Sequence, residues 1–454
     1  MDKVNAAKLF RESFSETSVK STYDTKLLGS RSIGLDRVSA YAFASNHASE
    51  VSIISRKVLA ATYRFTKFKE KLISKGASKY PRQLSIPTIR DRLTLRVICD
   101  FLFKVFPESK PSLPQKKIAQ LREVIDSGNF KYFVKIDLRN FYPSISHKLL
   151  FSRLYKRVRV AQFHSLMKCA LETPTVPESA ITNAVSVTEG VAQGFSISNV
   201  LAEVFMLDVD EQIRDLSPFY LRFVDDIILL TNEEPRLLCQ NVVNALKRAK
   251  LDPHPLDAEG SKTQIGEVSA GCAFLGYFLR PQTASVRPGS ISSFEGSLVG
   301  VFTEYKYRLR RSTKDEERAA TLAWLRWTLN LKLTGCNYKN ERFGWVFYYS
   351  QINDLSSLRR IDHTVSMLLS RFDISTPPNP KRALKAFYES KRTDKGSHFY
   401  IPNFDQMSVE AMRQFLSQIG QSVQNMPDAE VGFLFHRLIH RATRSLEKDV
   451  ASLS

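Results

Sequence analysis

Three aspartates carry the chemistry that this sequence could perform. Asp137 ends the apolar run that begins at Phe133, and about ninety residues later Asp225 and Asp226 interrupt a second apolar run, Phe223–Leu230. Because an unpaired buried charge costs several kcal/mol, we expect the adjacent pair to lie at a hairpin turn beside a divalent cation. Two Mg²⁺ ions ~3.5–4 Å apart can activate a 3′-hydroxyl and stabilise a leaving pyrophosphate. Asp137 and Asp225 would bridge both ions, with Asp226 as the less direct third carboxylate.

The composition favours a polyanionic partner and a reducing compartment. Lys and Arg number 66 against 46 Asp and Glu in 454 residues, a formal charge of +20 that suits phosphate neutralisation. The five cysteines are scattered without CxxC spacing, which argues against a zinc site or a disulfide framework. The sequence starts without a signal-peptide core, and its apolar runs are too short to cross a bilayer. We therefore expect a soluble, cytoplasmic protein with no membrane association.

The spacing of apolar residues predicts an α+β protein in three parts. The first part, to about residue 110, is mainly helical and has one extended basic segment, Tyr80–Pro87, before a stretch from Thr88 onwards whose apolar residues recur at helical spacing. From Val301 onwards the pattern is helical again. We expect linkers at Arg280–Gly300 and Thr376–Pro380, which are rich in Gly, Ser or Pro. The middle part alternates predicted strands and helices, namely Tyr132–Ile136, Ser198–Arg214, Tyr220–Leu230, Glu234–Ala249 and Phe274–Leu279.

An Asp-Asp pair alone is more often a solvated turn or a helix cap, so the surrounding motifs decide its meaning. Six blocks in one order resemble the successive sequence blocks of reverse transcriptases, and together they are far more specific than any one of them. The resemblance covers about residues 80 to 280. The blocks are Ile86-Pro-Thr-Ile-Arg-Asp-Arg, Ile136-Asp-Leu-Arg-Asn-Phe-Tyr-Pro-Ser-Ile, Gln193-Gly-Phe-Ser-Ile-Ser-Asn-Val-Leu-Ala-Glu, Phe223-Val-Asp-Asp, Ser261-Lys-Thr and Phe274-Leu-Gly.

This resemblance implies the right-hand fold of polymerases. Residues 1–110 would form an N-terminal extension and helical fingers, residues 111–285 an antiparallel-sheet palm with the catalytic carboxylates, and residues 286–454 an all-helical thumb and C-terminal region. The Gln-Gly-x-Ser-x-Ser block and the lack of integrase, protease or endonuclease sequence are more similar to bacterial abortive-infection and defence-associated reverse transcriptases than to retroviral or group II intron enzymes. Retrons are the next most similar group. Phe223-Val-Asp-Asp departs from the Tyr-Ala-Asp-Asp of many relatives but keeps both acids.

The activity that the resemblance implies is RNA-directed DNA synthesis in a bacterial cytoplasm, with dNTPs added to a 3′ or protein hydroxyl. Two Mg²⁺ ions, or Mn²⁺ in their place, would be held by Asp137, Leu138, Asp225 and Asp226. The implied partners are an RNA template, which we expect to be a dedicated non-coding RNA used in antiphage defence, and the DNA product. A companion reverse transcriptase or a homo-oligomer remains open. So do two other functions, an RNA-templated RNA polymerase and a non-catalytic nucleic-acid-binding scaffold.

Tyr142 stands where reverse transcriptases hold an aromatic ring under the sugar of the incoming nucleotide. That ring would collide with a 2′-hydroxyl and favour dNTPs over NTPs, whereas the alternative is a core aromatic beside Phe141. Gln193 and Gly194 are expected to begin a helix, where exposed N–H groups and small residues let the nucleotide and template approach closely. The alternative there is simple capping of the helix by the two serines that follow.

Arg82 and Arg90 are expected to clamp the triphosphate, because a planar guanidinium can bind phosphate oxygens through two hydrogen bonds. Arg92 and Arg96 are as consistent with a solvated helix face as with a template contact. Lys262 matches a family lysine that approaches the leaving pyrophosphate and could act as a general acid, although a surface role is equally open.

The C-terminal part mixes cations and aromatic rings, a combination that can track phosphates and stack bases. The resemblance places a thumb domain here, after a Phe274–Tyr277 hairpin that would grip the primer end. Ordinary core packing is the alternative for each of these rings. The mixed segments are Tyr305–Arg311, Trp324–Trp327 and Phe343–Tyr349.

Overall fold

The computed structural model describes residues 5–27, 32–74, 80–179, 187–374, 380–392 and 400–451. Within these residues the helices are α1 (Ala6–Ser13), α2 (Glu16–Thr22), α3 (Ala40–Ser45), α4 (His47–Leu59), α5 (Ile89–Val105), α6 (Pro114–Asp126), α7 (His147–Arg157), α8 (Ala161–Glu172), α9 (Ser198–Arg214), α10 (Pro235–Arg248), α11 (Pro288–Arg311), α12 (Asp315–Thr334), α13 (Trp345–Tyr348), α14 (Ser356–Arg371), α15 (Ala383–Lys391), α16 (Val409–Gln418) and α17 (Asp428–Ala451). The strands are β1 (Phe68–Ile73), β2 (Arg82–Ile86), β3 (Tyr132–Arg139), β4 (Thr175–Val176), β5 (Phe219–Phe223), β6 (Asp226–Thr231), β7 (Asp252–Pro253), β8 (Gln264–Glu267), β9 (Cys272–Phe274), β10 (Tyr277–Arg280), β11 (Thr283–Val286), β12 (Cys336–Tyr338) and β13 (Glu341–Phe343). The predicted α+β class is confirmed.

The chain forms two compact units. Unit 1 comprises Met1–Ser112 and Tyr132–Ile265, and unit 2 comprises Leu113–Lys131 and Gly266–Ser454. This division follows internal contacts, so the functional boundaries expected at residues 110 and 285 stay a prediction. No helix in the described ranges is both long enough and apolar enough to span a membrane.

Unit 1 is built around an antiparallel sheet whose strands lie in the order β5-β6-β3-β7. The central strand β6 is buried along its whole length, because four apolar residues, Ile227–Leu230, follow its first residue, Asp226. Helix α9 contacts β5, α10 contacts β3, and the two helices also pack against each other. Buried apolar residues of these elements belong to one large core cluster. The sheet thereby places β3 beside β6, which together carry two of the three predicted catalytic acids.

A second sheet of unit 1, in the order β2-β1-β4, contains the predicted basic segment. Its strand β2 leads after two residues into α5, whose N-cap is Thr88. The buried Asp91 carboxylate accepts hydrogen bonds from the hydroxyls of Tyr63 and Thr88, both at 2.8 Å. Thr88 Oγ1 in turn accepts from the Asp91 N–H at 3.2 Å. This reciprocal cap fixes the start of α5, and therefore the end of the strand that carries Arg82.

Unit 2 is mainly helical, but the prediction of an all-helical region after residue 286 was wrong. Gly335, with φ +67°, ends α12, and the β12–β13 hairpin follows it directly. The two residues of the hairpin turn, Lys339 and Asn340, both have positive φ, the combination that a tight two-residue turn requires. Asn340 was therefore an available sequence signal, since Asn tolerates this conformation better than most residues.

The predicted linker Arg280–Gly300 was also wrong. Arg280 ends β10, β11 pairs with that strand, and α11 runs without a break from Pro288. Proline is favoured at the first position of a helix, so Pro288 starts this one rather than preventing it. Helix α11 buries apolar residues at helical spacing, among them Ile291, Phe294, Leu298 and Val301. In the other predicted linker, residues 376–379 lie outside the described ranges.

Candidate active site

The three aspartates lie at one end of the unit 1 sheet. Asp137 in β3 is the Cα partner of Asp226, the first residue of β6. Phe223 pairs with Asp226 to close the β5–β6 hairpin, which leaves Val224 and Asp225 as a two-residue turn. The hairpin turn expected around the adjacent acids is therefore present, with Asp225 in the turn and Asp226 at the start of the strand.

The turn has a strained backbone. Val224 has φ +56°, a left-handed conformation that costs a β-branched residue about 1–3 kcal/mol. Two-residue hairpin turns usually have Gly, Asn or Asp at such a position. Strain of this kind persists only where the surrounding contacts enforce it, and it concentrates at functional sites.

Negative charge accumulates around the turn. Burial, followed by repulsion from Asp226 and Asp137, raises the pKa of Asp225 to about 6, while Lys262 acts in the opposite direction. Lys262 Nζ and His254 Nε2 each lie 3.3 Å from Asp137 Oδ2. Lys262, predicted to belong to the site, is thus next to one of its acids.

The acids supply the donors that a divalent cation needs. No three His, Cys, Asp or Glu side chains in the described part of the chain are already arranged as an ion site, and the Asp137 carboxylate contacts Lys262 instead. Carboxylate oxygens are nevertheless the hard ligands that Mg²⁺ prefers, and a cation relieves the repulsion that raises the pKa of Asp225. The three acids therefore fit a divalent metal. Leu138, the fourth predicted ligand, has a buried side chain and can offer only its carbonyl oxygen.

Tyr142 lies near the acidic turn. Its hydroxyl donates a hydrogen bond to Asn199 Oδ1 at 2.6 Å. Burial, with a further contribution from Asp225, raises the pKa of Tyr142 to about 12, and Arg82 acts in the opposite direction. The ring is only partly buried, whereas the preceding Phe141 is 3% exposed. Partial exposure close to the acids suits contact with a nucleotide better than a role in the core.

Gln193 and Gly194 form a turn ahead of a helix. The prediction that the helix begins at Gln193 was wrong, because α9 begins at Ser198 and Gly194 has φ +106°, outside the helical region. The N-cap of α9 also has no side-chain hydrogen bond, which excludes simple serine capping. A Cβ on Gly194 would lie 3.0 Å from the Ser85 carbonyl oxygen. The close approach that glycine permits is therefore between this turn and β2.

The same turn contacts Arg82. The Ser85 N–H donates a hydrogen bond to the Gln193 main-chain oxygen at 2.9 Å, and Arg82 Nε donates to the Gln193 side-chain oxygen. These two predicted substrate residues therefore lie together, on the wall of a cavity of about 670 Å³ that Tyr80 and Glu189 also line.

The other predicted arginines are engaged by partners in unit 1. Arg90 forms an ion pair with Glu50 through two contacts, one of them 2.7 Å. Arg92 donates to main-chain carbonyl oxygens, and Arg96 pairs with an aspartate one helical turn away. Of these four arginines, the structure joins only Arg82 to another predicted substrate residue.

Sequence reasoning missed three polar residues close to the acids: Asn199, Arg222 and His254. The Arg222 side chain is only 5% exposed, although it lies in the apolar strand β5. Its signal was present, because a lone Arg in Phe-Tyr-Leu-Arg-Phe needs acidic partners, and Glu203 and Asp210 lie two turns apart on one face of α9. His254 had no such signal, since strand pairing between distant segments brings it to the site.

In unit 2, the predicted Phe274–Tyr277 hairpin is present. Its Gly276 has φ +78°, and a Cβ there would lie 2.5 Å from the Tyr349 hydroxyl. Contact with a primer end stays a prediction. Within Phe343–Tyr349, the rings of Trp345 and Tyr349 are at most 1% exposed, so these two rings pack in the core and are not available to stack bases.

Comparisons with known proteins match the central region to one family model and identify distant relatives of the chain. Residues 73–279, just under half of the chain, match the family model for reverse transcriptase (RNA-dependent DNA polymerase). Protein YkfC of Escherichia coli is 20% identical over an alignment 302 residues long, which covers 55% of this chain and 76% of that protein. The protein named putative COX1/OXI3 intron 2 protein of Saccharomyces cerevisiae is 22% identical over an alignment 209 residues long, which covers 43% of this chain but only 23% of that protein.

Two solved telomerase structures are also similar to the chain. An apo telomerase from Candida tropicalis is 15% identical, with 49% of this chain and 55% of that chain covered and a TM-score of 0.37. A Candida albicans telomerase with a fragment of telomeric RNA is 13% identical, with 90% and 68% covered and a TM-score of 0.43. TM-scores this low do not establish that this chain shares the fold of either telomerase. The central region therefore matches the reverse transcriptase family, and its defence-associated subgroup stays a prediction.

The raised pKa of Asp225 predicts how the stability of the metal-free protein depends on pH. Its folded pKa of about 6, against an ordinary 3.8, makes ionisation harder in the fold, so the free energy of unfolding falls as pH rises through this window. In urea denaturation with a chelator, Asp225→Asn should stabilise the protein by about 2–3 kcal/mol near pH 8 and by little near pH 4. An equal gain at both pH values would contradict this account, and the exposed Asp215→Asn serves as the control.

Proposed function

We propose that the protein is an RNA-directed DNA polymerase that adds dNTPs to a 3′ or protein hydroxyl by two-metal catalysis. The observation that carries the proposal is the grouping of Asp137, Asp225 and Asp226 at one end of the sheet, with Tyr142 near them. The reverse transcriptase match includes all four residues. A non-catalytic scaffold would have no use for three acids that repel one another.

The acids and Lys262 would act on the reacting groups. Asp137, Asp225 and Asp226 would hold the cations, together with the carbonyl oxygen of Leu138. Two Mg²⁺ or Mn²⁺ ions bound in this way would activate the attacking hydroxyl and stabilise the leaving pyrophosphate. Lys262 would give the pyrophosphate a positive charge or a proton, and its contact with Asp137 supports this role.

Arg82, Gln193 and Gly194 would form the binding surface for the incoming nucleotide. The planar guanidinium of Arg82 suits phosphate oxygens, and its hydrogen bond to Gln193 keeps the two side chains together. Gly194 keeps their turn close to β2. Arg90 would contribute less, because its ion pair with Glu50 would have to break before it could bind phosphate.

Two basic helix faces in unit 2 support an RNA partner. The end of α11 exposes the predicted cations Lys306, Arg308, Arg310 and Arg311 beside a tyrosine ring. Helix α17, which was not predicted as a binding element, buries Val431, Phe435 and Ile439. Its opposite side exposes Arg437, Arg441 and Arg444, and no acid occurs between Val431 and Leu446. A surface of this charge is complementary to phosphates and would neutralise them.

We further propose that the RNA is a dedicated non-coding RNA, that DNA is the product, and that the enzyme limits phage growth in the bacterial cytoplasm. The resemblance to defence-associated reverse transcriptases supports this part. Sequencing the RNA that copurifies, and measuring the mass of the complex, would identify the RNA and any companion reverse transcriptase or homo-oligomer. Purification without bound RNA, or equal phage plating on cells with active and inactive protein, would count against it.

Polymerisation by the purified chain tests the activity itself. With its copurified RNA, labelled dNTPs and Mg²⁺, the protein should incorporate dNTPs, and Asp225→Ala combined with Asp226→Ala should lower the rate by about a thousandfold or more. The matched control is Glu211→Ala combined with Asp215→Ala, which removes two exposed acids from the same unit. Equal incorporation by the wild-type and Asp225→Ala/Asp226→Ala proteins would refute the proposed mechanism.

The sugar preference tests Tyr142. Tyr142→Ala should lower the ratio of kcat/KM for dNTP to that for NTP by roughly tenfold or more, because the ring that collides with a 2′-hydroxyl is removed. Tyr142→Phe keeps the ring and loses the bond to Asn199, so it should change the ratio much less. A wild-type preference for NTPs would instead support an RNA polymerase.

The salt dependence of RNA binding tests helix α17. Replacing Arg437, Arg441 and Arg444 together by Ala should weaken RNA binding and reduce the slope of log K against log salt by about two to three units. The control replaces three exposed cations of the N-terminal helices, Arg11, Arg56 and Lys57, and lowers the net charge equally. If both triple variants lose the same affinity, only the overall charge matters and α17 is not a binding face.

A further inference from the structure

We infer that Arg222 is a positioning residue of this site, which holds the Val224–Asp225 turn in the conformation that presents the acids. The inference rests on the proposed function for its catalytic meaning. Arg222 would touch neither nucleotide nor metal, because its side chain is 5% exposed and all its nitrogens face protein atoms. Its action would pass through the backbone of the turn.

The guanidinium makes five hydrogen bonds within unit 1. Nη1 donates to the Val224 carbonyl oxygen at 3.0 Å and to Glu203 Oε1 at 2.9 Å. Nη2 donates to Glu203 Oε2 at 2.7 Å and to Asp210 Oδ2 at 2.8 Å, and Nε donates to Asp210 Oδ1 at 2.8 Å. An arginine side chain has five N–H groups, so every one of them has an acceptor. A lysine, with three donors on one nitrogen, could not reproduce this arrangement.

The turn needs such a support because its conformation is unfavourable by itself. Val224 has a positive φ, which a β-branched residue rarely adopts. The carbonyl oxygen that Arg222 binds belongs to this same residue. A hydrogen bond from a buried, charged donor therefore favours the one backbone conformation in which Asp225 follows as the turn residue and Asp226 pairs with Asp137.

The two acids tie the guanidinium to a rigid element. Glu203 and Asp210 lie on α9, and Asp210 also accepts a hydrogen bond from the Tyr220 hydroxyl at 2.6 Å. Buried ion pairs often add little stability compared with apolar residues of the same volume. The ion pairs of Arg222 are therefore a poor source of overall stability. Control of the turn conformation gives them a function instead.

A rescue experiment in the full-length protein separates positioning from simple stabilisation. Arg222→Lys keeps the charge but loses contacts, and it should weaken Mn²⁺ binding to the nucleotide-free protein by about tenfold and lower kcat more than it raises KM. Val224→Gly alone should bind Mn²⁺ almost as the wild type does, because glycine adopts positive φ freely. Val224→Gly in the Arg222→Lys background should recover most of the lost Mn²⁺ affinity.

A matched control removes a different buried ion pair. Lys332 and Asp449 in unit 2 are 2.5 Å apart, with side chains 8% and 9% exposed, so Asp449→Asn should reduce stability without changing Mn²⁺ binding. If Arg222→Lys does not fold, Glu203→Gln takes its place, since it weakens the same anchor and keeps one acceptor. Failure of Val224→Gly to recover Mn²⁺ affinity in either background would overturn the inference and leave Arg222 as a stabilising residue only.

Hydrogen exchange of the turn amides, measured without metal, keeps this test separate from the proposed function. Arg222→Lys should speed exchange at Val224, Asp225 and Asp226 by about tenfold relative to other amides of the sheet. Unchanged exchange at these amides would refute positioning even if the enzyme is a polymerase. If Arg222→Lys speeds local exchange but the wild-type protein neither binds Mn²⁺ nor incorporates dNTPs, the positioning role stands and the proposed function is refuted.

Discussion

The repulsion between three carboxylates is the constraint on which the rest of unit 1 depends. Strand pairing puts Asp137 opposite Asp226, and the tight hairpin adds Asp225 beside them. Burial of Asp225 makes this grouping costly, as its raised pKa shows. The fold sustains the cost through a fully buried strand β6 and a large core beneath the sheet. In physical terms the site is a place where the fold tolerates unfavourable electrostatics that a cation can relieve.

Helix α9 is the common support for the residues around these acids. Its first turn contains Asn199, which binds the Tyr142 hydroxyl. One and three turns further along, Glu203 and Asp210 bind the guanidinium that contacts the Val224 carbonyl. The Tyr142 ring and the acidic turn are therefore both positioned by hydrogen bonds that lead to helix α9. A shift of α9 along its axis would move both together, which keeps their spacing constant.

Local patterns were sufficient to predict the elements that carry the site. Apolar periodicity predicted Ser198–Arg214 with the bounds that α9 has, and the run around Asp225 and Asp226 predicted the β5–β6 hairpin. Prediction failed where backbone geometry or distant contacts decide the outcome. Gly194 at φ +106° ends the turn that looked like a helix start, and Pro288 starts a helix that looked like a linker.

The roles of residues whose partners lie far away in the sequence were the hardest to predict from the sequence. Arg90 resembled a phosphate ligand until Glu50, forty residues earlier, proved to be its partner. His254 reaches Asp137 only through the pairing of β3 with β7. Arg222 is the intermediate case, since its isolation in an apolar strand indicated a need for acids without showing which ones.

The strand order of the unit 1 sheet also has a consequence for the synthesis of the chain. Strand β3 is made first and lies in the middle of the sheet, but its neighbours β6 and β7 follow about ninety and about a hundred and fifteen residues later. During translation β3 is therefore an apolar strand with two unpaired edges, the type of segment that aggregates or recruits chaperones. All the strands of the order β5-β6-β3-β7 have been synthesised only once translation has passed Pro253. A nascent chain that ends before β5 would thus carry Asp137 without the β5–β6 hairpin that brings Asp225 and Asp226 beside it.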